Sequence, residues 1–376
     1  MAYQYSLRAP GARLSGWLGL AAATLGAALL AGCMSGGPVR VQPGGTAGTT
    51  PAPSTSPAAG RLQPAAWTEI GGWSQDDVRA AWPALQASCQ ALKKKPEWNR
   101  VCAVGLMVDA GDLVAMRTYF ETHFQPYRVV NTDGTDSGLI TGYYEPILHG
   151  SRTRQGPYQV PLYRRPPQLR GALPARGELL QMPAMRGNEI VYVDDAVEAA
   201  FLQIQGSGRI RLPDGTIMRV GFGGTNDQPF RSFGKWLLDR GEITPAQATM
   251  QGIKAWARNN PARVEEMLNV NPRFVFFREL PPNNDGPVGA LGVPLTAERS
   301  IAVDPATIPL GVPVFLSTTR PLSTEPIQRL MFAQDTGSAI KGGVRADFFW
   351  GAGDAAGETA GRMKQGGRMW VLMPRS

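Results

Sequence analysis

The run Leu330-Met331-Phe332-Ala333-Gln334-Asp335-Thr336-Gly337-Ser338-Ala339-Ile340-Lys341-Gly342-Gly343-Val344-Arg345-Ala346-Asp347-Phe348-Phe349-Trp350-Gly351 decides the reading of this 376-residue chain. Its apolar start reads as a buried strand, its glycines permit a tight turn, and a second strand carries Asp347 into three aromatic residues before Gly351 turns again. Two carboxylates thus stand among glycines, aromatics and cations. A carboxyl beside aromatic rings is desolvated, which disfavours its charged form and moves its pKa toward the range of a general acid. The plainer alternative is that Asp335 and Asp347 only cap turns. The rest of the chain has to decide between them.

Upstream, the chain begins with Arg8 and Arg13 ahead of an apolar run from Leu14 to Leu30, closed by Leu30-Ala31-Gly32-Cys33. A charged start, an apolar middle and small residues at a cleavage point make residues 1–32 a secretory signal, with lipidation of Cys33. The alternative is an uncleaved membrane anchor, for which the apolar run is short. Residues 33–66, rich in Gly, Pro, Ser, Thr and Ala, read as a disordered tether. The formal charge of +8 suits an anionic partner, either an acidic glycan or a membrane surface. Nucleic acid is excluded by export and by the lack of any recognition signature. Cys89 and Cys102 are the only other cysteines: in an oxidising compartment they form a structural disulfide, or else remain as two buried thiols. With only His123 and His149, and neither at ligand-like spacing, no metal and no cofactor is expected.

From Ser74, a possible cap, Val78, Trp82, Leu85, Cys89 and Leu92 recur at helical spacing, with Pro83 marking a kink or a new start. Further helices are expected around Val101 to Val108 and from Leu113 to Phe124. Strands are expected at Gly138 to Leu148, Ile190 to Tyr192, Phe201 to Gln205, Ile210 to Leu212 and Ile217 to Val220, the last two joined by the turn Pro213 to Thr216. Three helices follow: one ending at Arg240, one capped by Thr244, and one over Ala262 to Leu268. Strands return at Phe274 to Phe277, Ser300 to Val303, Val312 to Leu316 and Arg329 to Ala333. A helix from Asp354 to about Lys364 and a strand over Met369 to Met373 close the chain. Gly142 next to Tyr143 and Tyr144 could let a sugar approach the backbone and stack, or could belong to a core strand.

Four motifs stand together: Thr141 to Pro146 (TGYYEP), Gln203 to Leu212 (QIQGSGRIRL), Val220 to Leu237 (VGFGGTNDQPFRSFGKWL), and DTGSAIKG with RADFFWGAG over Asp335 to Gly353. Together they resemble the MltA family of membrane-bound lytic murein transglycosylases, from about Trp67 to the C-terminus. The resemblance implies a mainly β fold with a helical lead-in. A double-psi β-barrel domain, residues 67–145 and 284–376, carries a smaller inserted β-rich domain, residues 146–283, with a groove between them. It implies cleavage of the β-1,4 bond between N-acetylmuramic acid and N-acetylglucosamine without water, leaving 1,6-anhydro ends. It also implies an outer-membrane lipoprotein facing the periplasm, with the glycan strand as substrate and cell-wall synthesis or division complexes as partners.

By motif position Asp347 matches the family's catalytic acid, which would act as acid and then as base, and Asp335 matches its supporting aspartate. This chain carries one extra residue between Lys341 and Asp347. Supporting roles fall to Thr141, Gly142 and Tyr143, which would position the sugar; to Gln205, Gly206, Ser207, Gly208 and Asn226, which would hydrogen-bond it; and to Lys341, which would meet a lactyl or peptide carboxylate. One acid suffices because the substrate supplies its own C6 hydroxyl as nucleophile, whereas ordinary glycosidases use two carboxylates. Three rivals share parts of the pattern. An aspartic protease needs a second Asp-Thr-Gly loop or a dimer; a wall-binding lipoprotein needs only the groove; a two-acid hydrolase would pair Asp347 with Asp304 or Asp335.

Overall fold

The computed structural model describes residues 59–283 and 285–375. The signal, Cys33 and the tether as far as residue 58 lie outside the described residues. The last part of the expected tether is ordered: β1 (Arg61–Pro64) pairs antiparallel with β2, because Leu62 and Ala65 pack onto the core. Next come α1 (Trp82–Leu92), α2 (Pro96–Gly105) and α3 (Leu113–His123), then β2 (Phe124–Val130) and β3 (Gly138–Glu145). The helix expected from Ser74 is instead two 3-10 turns, and α1 restarts at Trp82 with Pro83 in its first turn. The capping side chain there is Asp77, which accepts from the Arg79 N–H, not Ser74. Cys89 and Cys102 form a disulfide that ties α1 to α2.

The insert follows, with β4 (Ile147–Ser151), β5 (Val160–Tyr163), α4 (Arg176–Gln181), β6 (Glu189–Val193), α5 (Ala196–Gln205), β7 (Gly208–Arg211), β8 (Ile217–Thr225), α6 (Phe233–Asp239), α7 (Met250–Asn259), α8 (Val264–Asn269) and β9 (Val275–Leu280). Its strands form one sheet in the order β5-β6-β4-β7-β8-β9. The expected strand Phe201 to Gln205 is the end of α5. Asp195 accepts from the Val197 and Glu198 N–H groups at one end, and Gly206, at φ +83°, stops the helix at the other. Helical periodicity is hidden because α5 is buried on two sides. Ala199 and Leu202 face the sheet, while Val197, Ala200 and Phe201 face a second core built by α6, α7 and α8. Thr244 opens only a 3-10 turn; α7 begins later, capped by Thr249.

The chain then returns to the barrel through β10 (Ser300–Val303), β11 (Pro313–Thr319), β12 (Pro326–Asp335), β13 (Arg345–Ala352), α9 (Asp354–Arg362) and β14 (Lys364–Pro374). The first residues of β14 pair with β3 and its later ones with β11 and β2, so β3-β13-β10-β12-β11-β14 closes on itself. Two of those pairings, β10 with β12 and β13 with β3, are parallel. This six-stranded ring is the double-psi barrel, and Phe315, Phe332 and Phe348 are fully buried on its strands. The helical lead-in packs on it through Trp73 against Phe315. Arg299 and Asp76, both buried and 2.9 Å apart, staple the two together, and the Leu330 N–H also donates to Asp76.

Two crossings join barrel and insert, and arginines of the insert sheet hold both. Arg209 donates to the buried Glu145 carboxylate at 2.8 Å, where β3 ends, and to the Asp285 carbonyl on the return. Arg219 donates to the carbonyl of Gly286 at 2.7 Å and to the side chain of Asn283.

Candidate active site

The parallel register of β13 and β3 sets Asp347 opposite Thr141 and Phe349 opposite Tyr143. Side chains alternate along a strand. Phe348 and Trp350 therefore go into the barrel core, stacked on one another, and only Phe349 shares the Asp347 face, 5.2 Å from the Tyr143 ring. The sequence expectation of three rings around the acid is thus reduced to one. Burial is nevertheless the chief force on Asp347, and pushes its pKa up to about 6; the hydrogen bond from Thr141 and the charge of Arg345 oppose this, and Asp335 adds a smaller push upward. The Thr141 hydroxyl donates to Asp347 Oδ1 at 2.7 Å.

Asp335, at the end of β12, is committed elsewhere. The Ala290 and Thr336 N–H groups both donate to its Oδ1 at 2.9 Å, and the Tyr143 hydroxyl donates to Oδ2 at 3.1 Å. Burial raises its pKa and these three bonds pull it back. Burial also pushes the Tyr143 phenol well above its ordinary value, helped by the neighbouring carboxylates, so it stays a donor.

A groove of about 690 Å³ runs between the barrel and the insert, with Tyr143, Asp335 and Asp347 on one wall and Gln205, Gly206 and Ser207 on the other. Gln205 also reaches across the crossing, accepting from the Tyr144 N–H at 3.3 Å. Gly206 owes its place to its left-handed φ, which an L side chain rarely adopts. The structure therefore gathers Tyr143, Asp335, Asp347, Gln205, Gly206 and Ser207 around one groove, with Thr141 bonded to Asp347.

Four expected residues stand apart from it. Gly142 is needed for packing: a Cβ there would lie 2.8 Å from Trp350 Nε1 and 2.9 Å from Ala360 Cα. Gly208 is buried at the start of β7. Asn226 is fully buried and saturated, donating to the carbonyls of Pro174 and Pro272 and accepting from the Phe274 N–H, each at 2.8 Å. It clasps the insert and leaves no atom for a sugar. Lys341 points to Asp304, 3.9 Å away. Asp304 in turn accepts from the Gly342 N–H at 2.9 Å, which removes it as a second acid: its carboxylate holds the loop and is not on the groove.

Other groove residues escaped the sequence reading. Phe222 and Phe230 line the insert wall and are 54% and 42% exposed, unusual for phenylalanine. The signal for Phe222 was present, an aromatic set among glycines in Gly221-Phe222-Gly223-Gly224. Ala290 contributes only a backbone N–H, which no residue type announces. Arg273 and Arg278 also line this wall.

A closed barrel with an inserted sheet, and two buried carboxyls of raised pKa facing the cleft between them, define a cleft enzyme of the acid-catalysis type. Residues 139–278 match the family model described as the MltA specific insert domain, and residues 299–373 match the 3D domain. Membrane-bound lytic murein transglycosylase A of Escherichia coli is 36% identical over 270 residues, 70% of this chain and 72% of that protein. Among solved structures, the lytic transglycosylase LtgG of Burkholderia pseudomallei is 61% identical, with 85% of this chain and 97% of that one covered, at a TM-score of 0.63. E. coli MltA with bound chitohexaose is 31% identical, with 85% and 96% covered, at 0.64. The chain belongs to the family of membrane-bound lytic murein transglycosylase A.

Proposed function

We propose that this chain is a lytic transglycosylase that cleaves the β-1,4 bond between N-acetylmuramic acid and N-acetylglucosamine of peptidoglycan and leaves 1,6-anhydro ends. The observation that carries the reading is the inequality of the two carboxylates. Asp347 faces the groove with a pKa near 6, whereas Asp335 has both oxygens engaged by three donors. Protonated Asp347 gives its proton to the glycosidic oxygen. As a carboxylate, it then takes the proton of the C6 hydroxyl that attacks the anomeric carbon. No water enters, and no second carboxylate is required. Thr141 holds the Asp347 carboxylate in place, and the Asp335–Tyr143 pair shapes the wall beside it. Gln205, Ser207 and the backbone at Gly206 offer hydrogen bonds to the glycan, and Phe222 and Phe230 offer apolar faces to its rings.

The relatives' description as membrane-bound, together with Leu30-Ala31-Gly32-Cys33, supports lipidation of Cys33 and anchoring to the outer membrane, with the catalytic unit in the periplasm. On this reading the barrel domain spans 67–145 and 284–376, and the insert spans 146–283. Digestion of purified peptidoglycan followed by mass spectrometry tests the activity. Products lighter by one water than hydrolytic ones are expected. Reducing ends would mean a hydrolase, and intact glycan would mean a binding protein.

A further inference from the structure

The groove walls differ in charge. Asp335 and Asp347 lie on the barrel side, while the insert side carries Arg273, at the approach to β9, and Arg278, within it. Among the described residues neither arginine has a carboxylate within 4.0 Å. This sets them apart from nearby arginines: Arg209 is paired with Glu145, Arg219 is bonded to the return crossing, and Arg152 takes Glu279, next in sequence to Arg278. The position of Lys341 adds a second observation. The cation expected to meet a substrate carboxylate is drawn toward Asp304 and lies off the groove, so that role has no holder on the barrel wall.

We propose that Arg273 and Arg278 recognise carboxylates carried by the muramyl residues of the glycan, and so make this enzyme favour charged strands over neutral ones. The proposal rests on the transglycosylase reading of the same groove. A guanidinium presents a planar fork of donors that matches a carboxylate, and an unpaired one in a cleft holds this capacity open. The opposite wall, with Asp335 and Asp347 and, among the described residues, no lining cation, offers the same group no partner. A cationic partner on one wall alone fixes which edge of the strand turns toward the insert. The carboxylate has two possible sources, the stem peptide on intact strands and the lactyl group exposed when the peptide is removed.

The test uses the exported form of the chain carrying Asp347→Asn, so that ligands persist. Affinity is measured for peptide-bearing glycan, for glycan stripped to its lactyl carboxylates, and for neutral chitohexaose. The expected result is that Arg278→Gln, at an exposed position that should not disturb folding, lowers the ratio of charged to neutral affinity by about tenfold. Arg278→Lys should retain part of that ratio, and the Arg273→Gln, Arg278→Gln pair should lower it further. Loss on peptide-bearing glycan alone assigns the stem peptide, loss on stripped glycan alone assigns the lactyl group, and loss on both means that the arginines take a carboxylate from either source. An unchanged ratio in Arg278→Gln and in the pair overturns the proposal. The product assay on the parent enzyme separates the two readings: anhydro products with no charge preference sink only this inference, whereas their absence sinks the function beneath it.

Discussion

Replacing Asp347 by Asn should abolish lysis and also make the protein more stable at neutral pH. Burial moves this carboxyl from an ordinary 3.8 to about 6. An acid whose folded pKa lies above its unfolded one costs the folded state stability once it ionises: the cost is absent below the unfolded value and complete above the folded one. For full burial the shift corresponds to about 3 kcal/mol. Asp347 opens on the groove and keeps part of its hydration, which brings the figure nearer ~2 kcal/mol. Asn keeps an acceptor for the Thr141 hydroxyl, now 2.7 Å from Asp347, and never ionises. Denaturant unfolding at pH 7.5 should therefore show the variant more stable by ~2 kcal/mol, an advantage that shrinks as pH falls below 6 and nearly vanishes by pH 4. On the same variant, release of anhydro products should fall by about a thousandfold or more, within or beyond the range for loss of a general acid. In the parent enzyme kcat/KM should decline tenfold per pH unit above about 6 as the acid form is lost. A variant that is less stable at pH 7.5, or whose stability difference ignores pH, would refute the account of the buried acid.

Tyr143→Phe removes a donor to Asp335 but keeps the ring against Phe349; kcat should drop about tenfold with KM little changed, and a raised KM at unchanged kcat would point to lost sugar binding instead. Asn226→Ala strands the carbonyls of Pro174 and Pro272 and the Phe274 N–H; unfolding should show a loss of ~3 kcal/mol with unchanged KM per folded molecule, and a raised KM would return Asn226 to the groove.

Much of the molecule could be read before folding, and the failures share a cause. The barrel strands around Asp335 and Asp347 announced themselves because apolar runs bounded by glycines have few other uses. The aromatic run after Asp347 is only a partial sign of its burial. Three aromatic residues follow it in sequence, but strand alternation sends Phe348 and Trp350 away, and the desolvation comes from the closed wall around the site. Helix α5 carries no legible helical signature because two cores claim it from opposite sides, which erases the apolar stripe that marks a helix. Asn226 and Lys341 stood in the right motifs with the wrong neighbours. Proximity in sequence cannot tell a side chain that faces a ligand from one that clasps a loop. Arg273 and Arg278 illustrate the converse: their interest lies in what they do not touch, and a sequence does not record unmade contacts.

The stretch matched as an insert begins at residue 139, inside β3, a strand that hydrogen-bonds into the barrel ring over Gly138–Glu145. The unit visible in sequence is therefore not the unit visible in space. It takes with it Thr141 and Tyr143, the two side chains that hold Asp347 and Asp335. A chimera spliced at the sequence boundary would exchange the grip on both carboxylates along with the far wall of the groove, whereas one spliced at Pro146 would exchange the wall alone. The strand that leaves the barrel for the insert makes the alignment of the acid and the entry to the substrate cleft a single inheritance.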